Sequence, residues 1–230
     1  MIVTIDGPAG SGKSTVAKMV GSRSRLVYLN SGNIYRAITS GLLKELGVDE
    51  VRGSIPDRAQ SLVNTASEFH IQVSGGTDDA SPAQQGDILF NGTLLGDEEL
   101  RSDLVDSLVA QVSSIPEIRE LVNTILRKEA LDKDVVVEGR DMSTIVFPRA
   151  ELQFYLDASI QARAKRRLDQ GTSSLSYEEL VDTIARRDRI DKEKDVGALK
   201  LSPQARYLDT SDLTIEQVCE IVLRSIREHK

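Results

Sequence analysis

Residues Met1 to Thr15 constrain the fold of this chain more than any other stretch. A short apolar run, Ile2-Val3-Thr4-Ile5, ends in Asp6 and is followed by Gly7-Pro8-Ala9-Gly10-Ser11-Gly12-Lys13-Ser14-Thr15. The pattern is G-x-x-x-x-G-K-S, a phosphate-binding loop, and it stands between a strand and a helix opened by Ser14-Thr15-Val16-Ala17-Lys18, as that motif requires. Its glycines allow the backbone angles that aim successive N–H groups inward at an anion. Lys13 can reach the β- and γ-phosphates, the Ser14 hydroxyl can ligate Mg²⁺, and the helix N-terminus adds partial positive charge. The spacing predicts that Gly7 to Thr15 hold a nucleoside triphosphate.

Four further strand-sized apolar runs follow, Leu26–Leu29, Val135–Val137, Leu152–Leu156 and Arg206–Asp209, separated by helical stretches. Alternating β and α units with right-handed crossovers predict an α/β fold, a doubly wound and mostly parallel sheet of about five strands. Ligands in such sheets sit beyond the carboxyl ends of the strands. That directs Gly7–Thr15, Asn30–Arg36, Glu138–Asp141, Asp157 and Asp209 to one cleft.

The interval from Asn30 to Asp134 is far longer than a crossover needs and predicts an inserted subdomain. Within it, Ser31–Leu46 reads as a helix striped by Ile34, Ile38, Leu42 and Leu43, whereas Phe69–Val73 and Ile88–Phe90 alternate like half-buried strands. The second of these enters Asn91-Gly92, a hairpin signal, and leaves through Thr93-Leu94-Leu95. Residues 74–82 read as a polar, mobile loop. Asp97–Ser113 and Glu117–Leu131 read as amphipathic helices, the second begun near Pro116.

The formal charge of -7 argues against general nucleic-acid binding, which relies on basic surface. Basic clusters must therefore be read locally. Ser159–Gln170 reads as a helix bearing Arg163, Lys165, Arg166 and Arg167, and Gly171-Thr172-Ser173-Ser174 breaks it. A second helix opens at Ser176, with Glu179 placed for a capping box, and carries Arg186, Arg187 and Arg189. Such a basic hairpin is either two solvated faces, helped by Asp169, Asp182 and Asp188, or a surface for polyphosphate. The single cysteine, Cys219, lies on the apolar face of Ile215, Val218, Val222, Leu223 and Ile226 and reads as core. His70 and His229 are too isolated for a metal or triad constellation. No cationic leader precedes the first strand and no apolar run approaches membrane-spanning length, so a cytoplasmic protein without a membrane partner is expected; a monomer is expected as well, though nothing in the residues fixes the oligomeric state.

The loop alone does not choose among nucleotide-dependent enzymes. A GTPase would show Asn-Lys-x-Asp and an ABC-type ATPase Ser-Gly-Gly-Gln, and neither occurs. The chain instead offers Asn30-Ser31-Gly32-Asn33-Ile34-Tyr35-Arg36, Glu138-Gly139-Arg140-Asp141-Met142 with Thr144-Ile145-Val146-Phe147-Pro148, and Arg187-Asp188-Arg189-Ile190-Asp191. In this order, after Gly-Pro-x-Gly-x-Gly-Lys-Ser, these motifs resemble bacterial cytidylate kinase over essentially the whole chain. The resemblance implies a P-loop NTPase core at about 1–30, 132–157 and 196–230. It also implies a monophosphate-binding subdomain at about 31–131 and a helical lid at about 158–195. The implied reaction is transfer of the ATP γ-phosphoryl group to CMP or dCMP with Mg²⁺. By motif, Arg163 and Arg167 would meet ATP, and Arg36, Arg140 and Lys194 the acceptor phosphate, with Ser31 nearby. Arg119 and Asp141 would contact cytosine, while Arg187 and Asp191 would lie at the pentose. Three positions depart from the family pattern: Asn30 where Asp is common, Ala110 where a base-contacting Ser is frequent, and Lys194 where Arg is usual.

The residues agree with that chemistry independently of the resemblance. Phosphoryl transfer asks for in-line positioning and charge neutralisation, and a phosphate acceptor with a second pKa near ~6 needs no strong base. A kinase for another acceptor, such as UMP, AMP or a non-nucleotide, would keep the same ATP half, and a nucleotide-dependent regulatory protein is a second alternative.

Overall fold

A computed structural model describes residues 1–53, 55–74, 86–171 and 175–229. In chain order the first elements are β1 (Ile2–Asp6), α1 (Lys13–Ser24), β2 (Val27–Asn30), α2 (Ser31–Leu46), α3 (Val48–Arg52) and α4 (Ile55–Ser67). There follow β3 (Ile71–Val73), β4 (Ile88–Phe90), β5 (Thr93–Leu94), α5 (Asp97–Leu100), α6 (Asp103–Val112) and α7 (Pro116–Glu129). The chain ends through β6 (Val135–Gly139), a π-helical turn at Met142–Val146, β7 (Leu152–Asp157), α8 (Ile160–Asp169), α9 (Tyr177–Glu193), β8 (Arg206–Asp209) and α10 (Ile215–His229). It divides into two compact units, Met1–Tyr28 with Asp134–Lys230, and Leu29–Lys133.

The first unit is built on a mostly parallel five-stranded sheet in the order β2-β6-β1-β7-β8, the doubly wound arrangement expected from the alternation of elements. Val3 and Ile5 of the central strand are fully buried, and Val136, Phe154 and Leu156 lie with them against Val16, Ala17 and Val20 of α1 and Val218, Cys219 and Val222 of α10. Cys219 is thus core. Parallel register aligns Asp6 with Gly139 and with Tyr155, and Asp157 with Asp209, so the strands deliver their polar last residues to one edge. Beyond β7, α8 and α9 pair as a hairpin with its own small apolar core of Ala164, Leu180 and Ile184. Ser176 accepts from the Glu179 N–H while Glu179 accepts from the Ser176 N–H, completing the capping box.

The second unit stacks α2 against a three-stranded antiparallel sheet, β3-β4-β5, and the helices α3 to α7. Ile34, Ile38 and Leu42 form the buried stripe of α2. Asn91 and Gly92, both at positive φ (49° and 79°), make the tight turn between β4 and β5.

Three local expectations change. Asp97–Ser113 is two helices, because Ser102 takes an extended conformation and its hydroxyl accepts from the Val105 N–H, starting α6 afresh. The strand expected over Phe69–Val73 begins at Ile71; the Phe69 N–H still bonds back to the Ala66 carbonyl, and its ring packs on Phe90 at 4.8 Å. Within the interval 47–68, for which the periodicity assigned no element, residues 48–52 form α3 and residues 55–67 form α4. Of the expected polar loop at 74–82, residues 75–82 lie outside the described residues, as do 172–174 of the expected break before Ser176. Among the described residues no helix is long and apolar enough to cross a membrane.

Gly7 is the tightest point of the first unit. Its φ is 146°, and a Cβ built there would stand 2.0 Å from the Leu156 carbonyl oxygen. Gly7→Ala is therefore expected to destabilise the protein by about 2–5 kcal/mol, from left-handed strain plus overpacking against backbone. Urea unfolding measures this, and an unchanged midpoint with an unchanged slope would refute the contact.

Candidate active site

In the first unit the site begins at the turn from β1 to α1. Gly10 and Gly12 have φ of 79° and 91°, which turn the loop back on itself, and Gly12 forms the N-cap of α1 without a side-chain cap. The first turn of α1 carries no acid, and Ser14 and Thr15 are exposed there. Lys13 folds back over the loop and donates from Nζ to the Pro8 carbonyl oxygen at 2.7 Å. Burial, and then the Arg140 charge, pulls the Lys13 ammonium down to about 7, with Glu138, Asp6 and Asp191 partly restoring it. Ser11 Oγ is buried without a hydrogen-bond partner among the described residues. A buried hydroxyl without a partner among the described residues and a lysine whose ammonium burial weakens both fit a polyphosphate.

Asp6 ties this loop to the segment after β6. Its buried carboxylate accepts from the Met142 N–H at 2.9 Å, from the Ser143 N–H at 2.8 Å and from the Ser143 hydroxyl. Burial raises the Asp6 pKa, and the Ser143 and Met142 bonds oppose that rise. Met142 and Ser143 open the π-helical turn, whose amides at Ile145 and Val146 fold back onto the Asp141 carbonyl. Arg140 and Asp141 are thereby held directly beside the loop's supporting strand.

Arg140 Nε donates to Asp191 Oδ2 at 2.9 Å, and Lys194 Nζ lies 3.5 Å from Asp191 Oδ1. Burial alone would raise the Asp191 pKa; the charge and hydrogen bond of Arg140, with Lys194 and Arg187, bring it below the ordinary carboxylate value. Four of the residues expected at the acceptor, Arg140, Arg187, Asp191 and Lys194, therefore share one electrostatic cluster. Asp141 is buried beside it. Arg187 and Arg167 point outward to differing degrees, Arg187 exposed and Arg167 half-buried.

Arg163 lies where the helical hairpin meets the phosphate loop. Expected at ATP, it is 2 % exposed, and both terminal nitrogens meet the Asp188 carboxylate, one at 2.9 Å. It also donates to the Ala158 carbonyl at 2.9 Å and the Ala9 carbonyl at 3.1 Å. Its fork is filled by protein, so it binds α8 to α9 and both to the phosphate loop. Asp6, Ser143 and Asp188 were not singled out beforehand as site residues. Only the position of Asp6, at the end of a strand and directly before Gly7, was a usable signal.

In the second unit Asn30 caps α2, its Oδ1 accepting from the Asn33 N–H at 3.1 Å, and Ser31 is buried in the first turn. Asn at this departure keeps the capping function. One turn on, Arg36 NH1 donates to Asp106 Oδ1 of α6 and to the Leu100 carbonyl at 3.3 Å. Arg119 of α7 donates to the Ser113 carbonyl at 3.1 Å, its guanidinium 5.5 Å from the centre of the Tyr35 ring. Ala110 is exposed on α6 between those two anchor points. No cluster of three His, Cys, Asp or Glu able to hold a metal occurs among the described residues.

The chain matches a family model described as Cytidylate kinase over residues 3–228. A cytidylate kinase of Borreliella burgdorferi (strain ZS7) is 37% identical, with 100% of this chain and 98% of that protein covered. Another, of Caldanaerobacter subterraneus subsp. tengcongensis, is 36% identical, with 99% and 95% covered. Among solved structures, an uncharacterized protein from Eubacterium ventriosum superposes with a TM-score of 0.52 at 11% identity over 99% of this chain and 98% of that one, a likeness of fold alone.

The Arg140–Asp191 pair has a definite pH signature. Because the folded carboxyl titrates below its unfolded value, the pair contributes stability above the ordinary Asp range and loses it as pH falls through the lowered value. Asp191→Asn is thus expected to be less stable than the parent at pH 6, with the gap closing on acidification below the ordinary carboxylate range. Urea unfolding of both proteins across that range checks it, and a gap independent of pH would refute the assignment.

Proposed function

The chain belongs to the cytidylate kinase family, and from that premise we propose that it transfers the γ-phosphoryl group of ATP to CMP or dCMP, giving ADP and CDP or dCDP. The observation that carries this reading lies in the second unit. Arg36 and Arg119 meet α6 at Asp106 and at Ser113, seven residues apart along the helix direction. Seven residues are about 10 Å of helical rise, so one guanidinium is anchored near the start of α6 and the other at its end. Arg36 holds the acceptor phosphate and Arg119 the base; Arg140 and Lys194 add charge at the phosphate, Asp191 and Arg187 serve the pentose, and Asp141 takes the base amine, with Ser31 close to the phosphate.

On the donor side, residues 7–15 cradle the triphosphate. Ser14 Oγ would hold Mg²⁺ together with the nucleotide's own oxygens, and the ion would supply charge neutralisation at the β- and γ-phosphates. Lys13, whose charge burial suppresses, regains it against an incoming polyanion, so its ammonium is strongest where the transition state is most negative. Residues 158–195 act as a lid over a core of about 1–30, 132–157 and 196–230, with about 31–131 as the monophosphate subdomain. Arg163, which already joins α8, α9 and the phosphate loop, and Arg167 bring the lid's positive charge to ATP. Closure excludes water, which would otherwise hydrolyse ATP. The net charge of -7 supports small-molecule substrates over nucleic acid for a cytoplasmic, monomeric enzyme.

Base choice follows from donor and acceptor chemistry. Cytosine offers acceptors at O2 and N3 and a donor amine, whereas uracil reverses the last two. Arg119 only donates and ionised Asp141 only accepts, so uracil is opposed at both. At roughly 1–3 kcal/mol for each well-formed pair, a preference for CMP over UMP of about a hundredfold or more is expected. Coupled ADP-release assays on CMP, dCMP, UMP and AMP, for the parent, Arg119→Ala and Asp141→Ala, test it. Equal use of UMP by the parent, or an unchanged CMP to UMP ratio in both variants, would overturn this base pocket.

A further inference from the structure

Helix α2 presents Arg36, Ser40 and Lys44 at four-residue intervals, one polar stripe that faces the acids of α5 and α6. Two of the three share Glu99: the Ser40 hydroxyl donates to it at 2.6 Å, and Lys44 Nζ lies 2.8 Å away. Burial works against the Glu99 carboxylate, yet Lys44 and Ser40 hold its pKa below the ordinary value, so this end of the stripe is a settled structural tie. Arg36 is different. Its partner Asp106 has a side chain 51% exposed, while the arginine itself is only 18% exposed. The guanidinium is sunk against α5 and α6, and the carboxylate lies between it and solvent.

We propose that Asp106 is a stand-in for the acceptor phosphate, occupying the Arg36 guanidinium until a phosphate-bearing acceptor displaces it. The inference rests on the reading of Arg36 as an acceptor-phosphate ligand. A carboxylate is the protein's own analogue of a phosphate: planar, anionic and able to take the same N–H donors, but with one charge in place of nearly two. Asp106 therefore keeps Arg36 extended and ordered, which lowers the entropy lost when the acceptor arrives. It also sets a threshold, because a ligand must bring more negative charge than Asp106 does to take its place. A nucleoside without a phosphate has nothing to exchange for the carboxylate, and a monoanion exchanges at no gain. Asp106 thus acts as a specificity-determining residue for dianionic acceptors, and it raises KM as the consequence.

Asp106 also lies in the first turn of α6, where an acid complements the helix dipole. Asp103 occupies the same turn without an ion-pair partner among the described residues, and so serves as the control for that purely structural role. The experiment compares KM and kcat for CMP, and calorimetric CMP affinity in the absence of ATP, for the parent, Asp106→Asn, Asp103→Asn, Arg36→Ala and the Arg36→Ala/Asp106→Asn double variant. Thermal melts verify folding of each. Removing an exposed ion pair and one repelling charge is expected to lower KM and the calorimetric Kd of CMP about three- to tenfold in Asp106→Asn, without a lower kcat. Asp103→Asn stays within about twofold of the parent, since dipole terms affect only stability. Arg36→Ala raises KM steeply, and adding Asp106→Asn to it brings no recovery. An unchanged or raised KM in folded Asp106→Asn, with Arg36→Ala still impaired, overturns the stand-in while leaving the role of Arg36 intact. A normal CMP KM in Arg36→Ala overturns both.

Discussion

A carboxylate removed from water must collect donors, and the way Asp6 does so organises the catalytic half of the molecule. It is the last residue of the central strand, so its backbone is held by neighbours on both sides and its side chain emerges at the mouth of the phosphate loop. The donors that satisfy it are the first amides and the hydroxyl of the turn that follows Arg140 and Asp141. One interaction thus joins the segment that would carry the donor phosphates to the segment that would carry the acceptor. A turn of π-helix is less favourable than an α-turn, and it persists here because the buried anion requires its amides at that angle.

Around that anchor the charges are arranged in series rather than in isolated pairs. Lys13 is shielded and loses part of its charge to burial and to Arg140; Arg140 is balanced by Asp191, which also accepts from Lys194. Buried pairs of this kind seldom add much net stability, because desolvation offsets the attraction. What they supply is orientation: guanidinium and ammonium groups held in order by a shared carboxylate. The same logic operates in the second unit, where Arg36 rests on Asp106 and Arg119 on a backbone carbonyl and the Tyr35 ring.

The two helices beyond β7 divide their arginines between buried and exposed positions. Arg163 and Asp188 are consumed inside the hairpin and at the Ala9 carbonyl, which fixes the base of the pair to the loop it would cover. Arg167 is half-buried and Arg187 exposed, and the Arg187 charge acts on Asp191. Reading the arginines as one class hid this division, since a helical periodicity gives the face of a residue but not the partner that an antiparallel neighbour brings to it.

What could be read from the chain alone was whatever depends on residues close in sequence. The phosphate loop needs only glycines at positive φ between a strand and a helix, the Asn91-Gly92 hairpin only its two turn residues, and the capping box only Ser176 and Glu179. Each of these was legible and each is present. The five-strand doubly wound sheet followed from the same local periods plus the handedness of crossovers. The helix break at Ser102 was missed because apolar spacing runs through it, while a single hydroxyl-to-amide bond ends one helix and starts the next. The clasp of Asp6 on Ser143, 137 residues away, the meeting of Arg36 with Asp106, 70 residues away, and the burial of Arg163 against Asp188 were decided only by tertiary structure. Local pattern sets which groups can be charged and which face they occupy; which opposite charge reaches them depends on how elements pack, and no short-range rule carries that information.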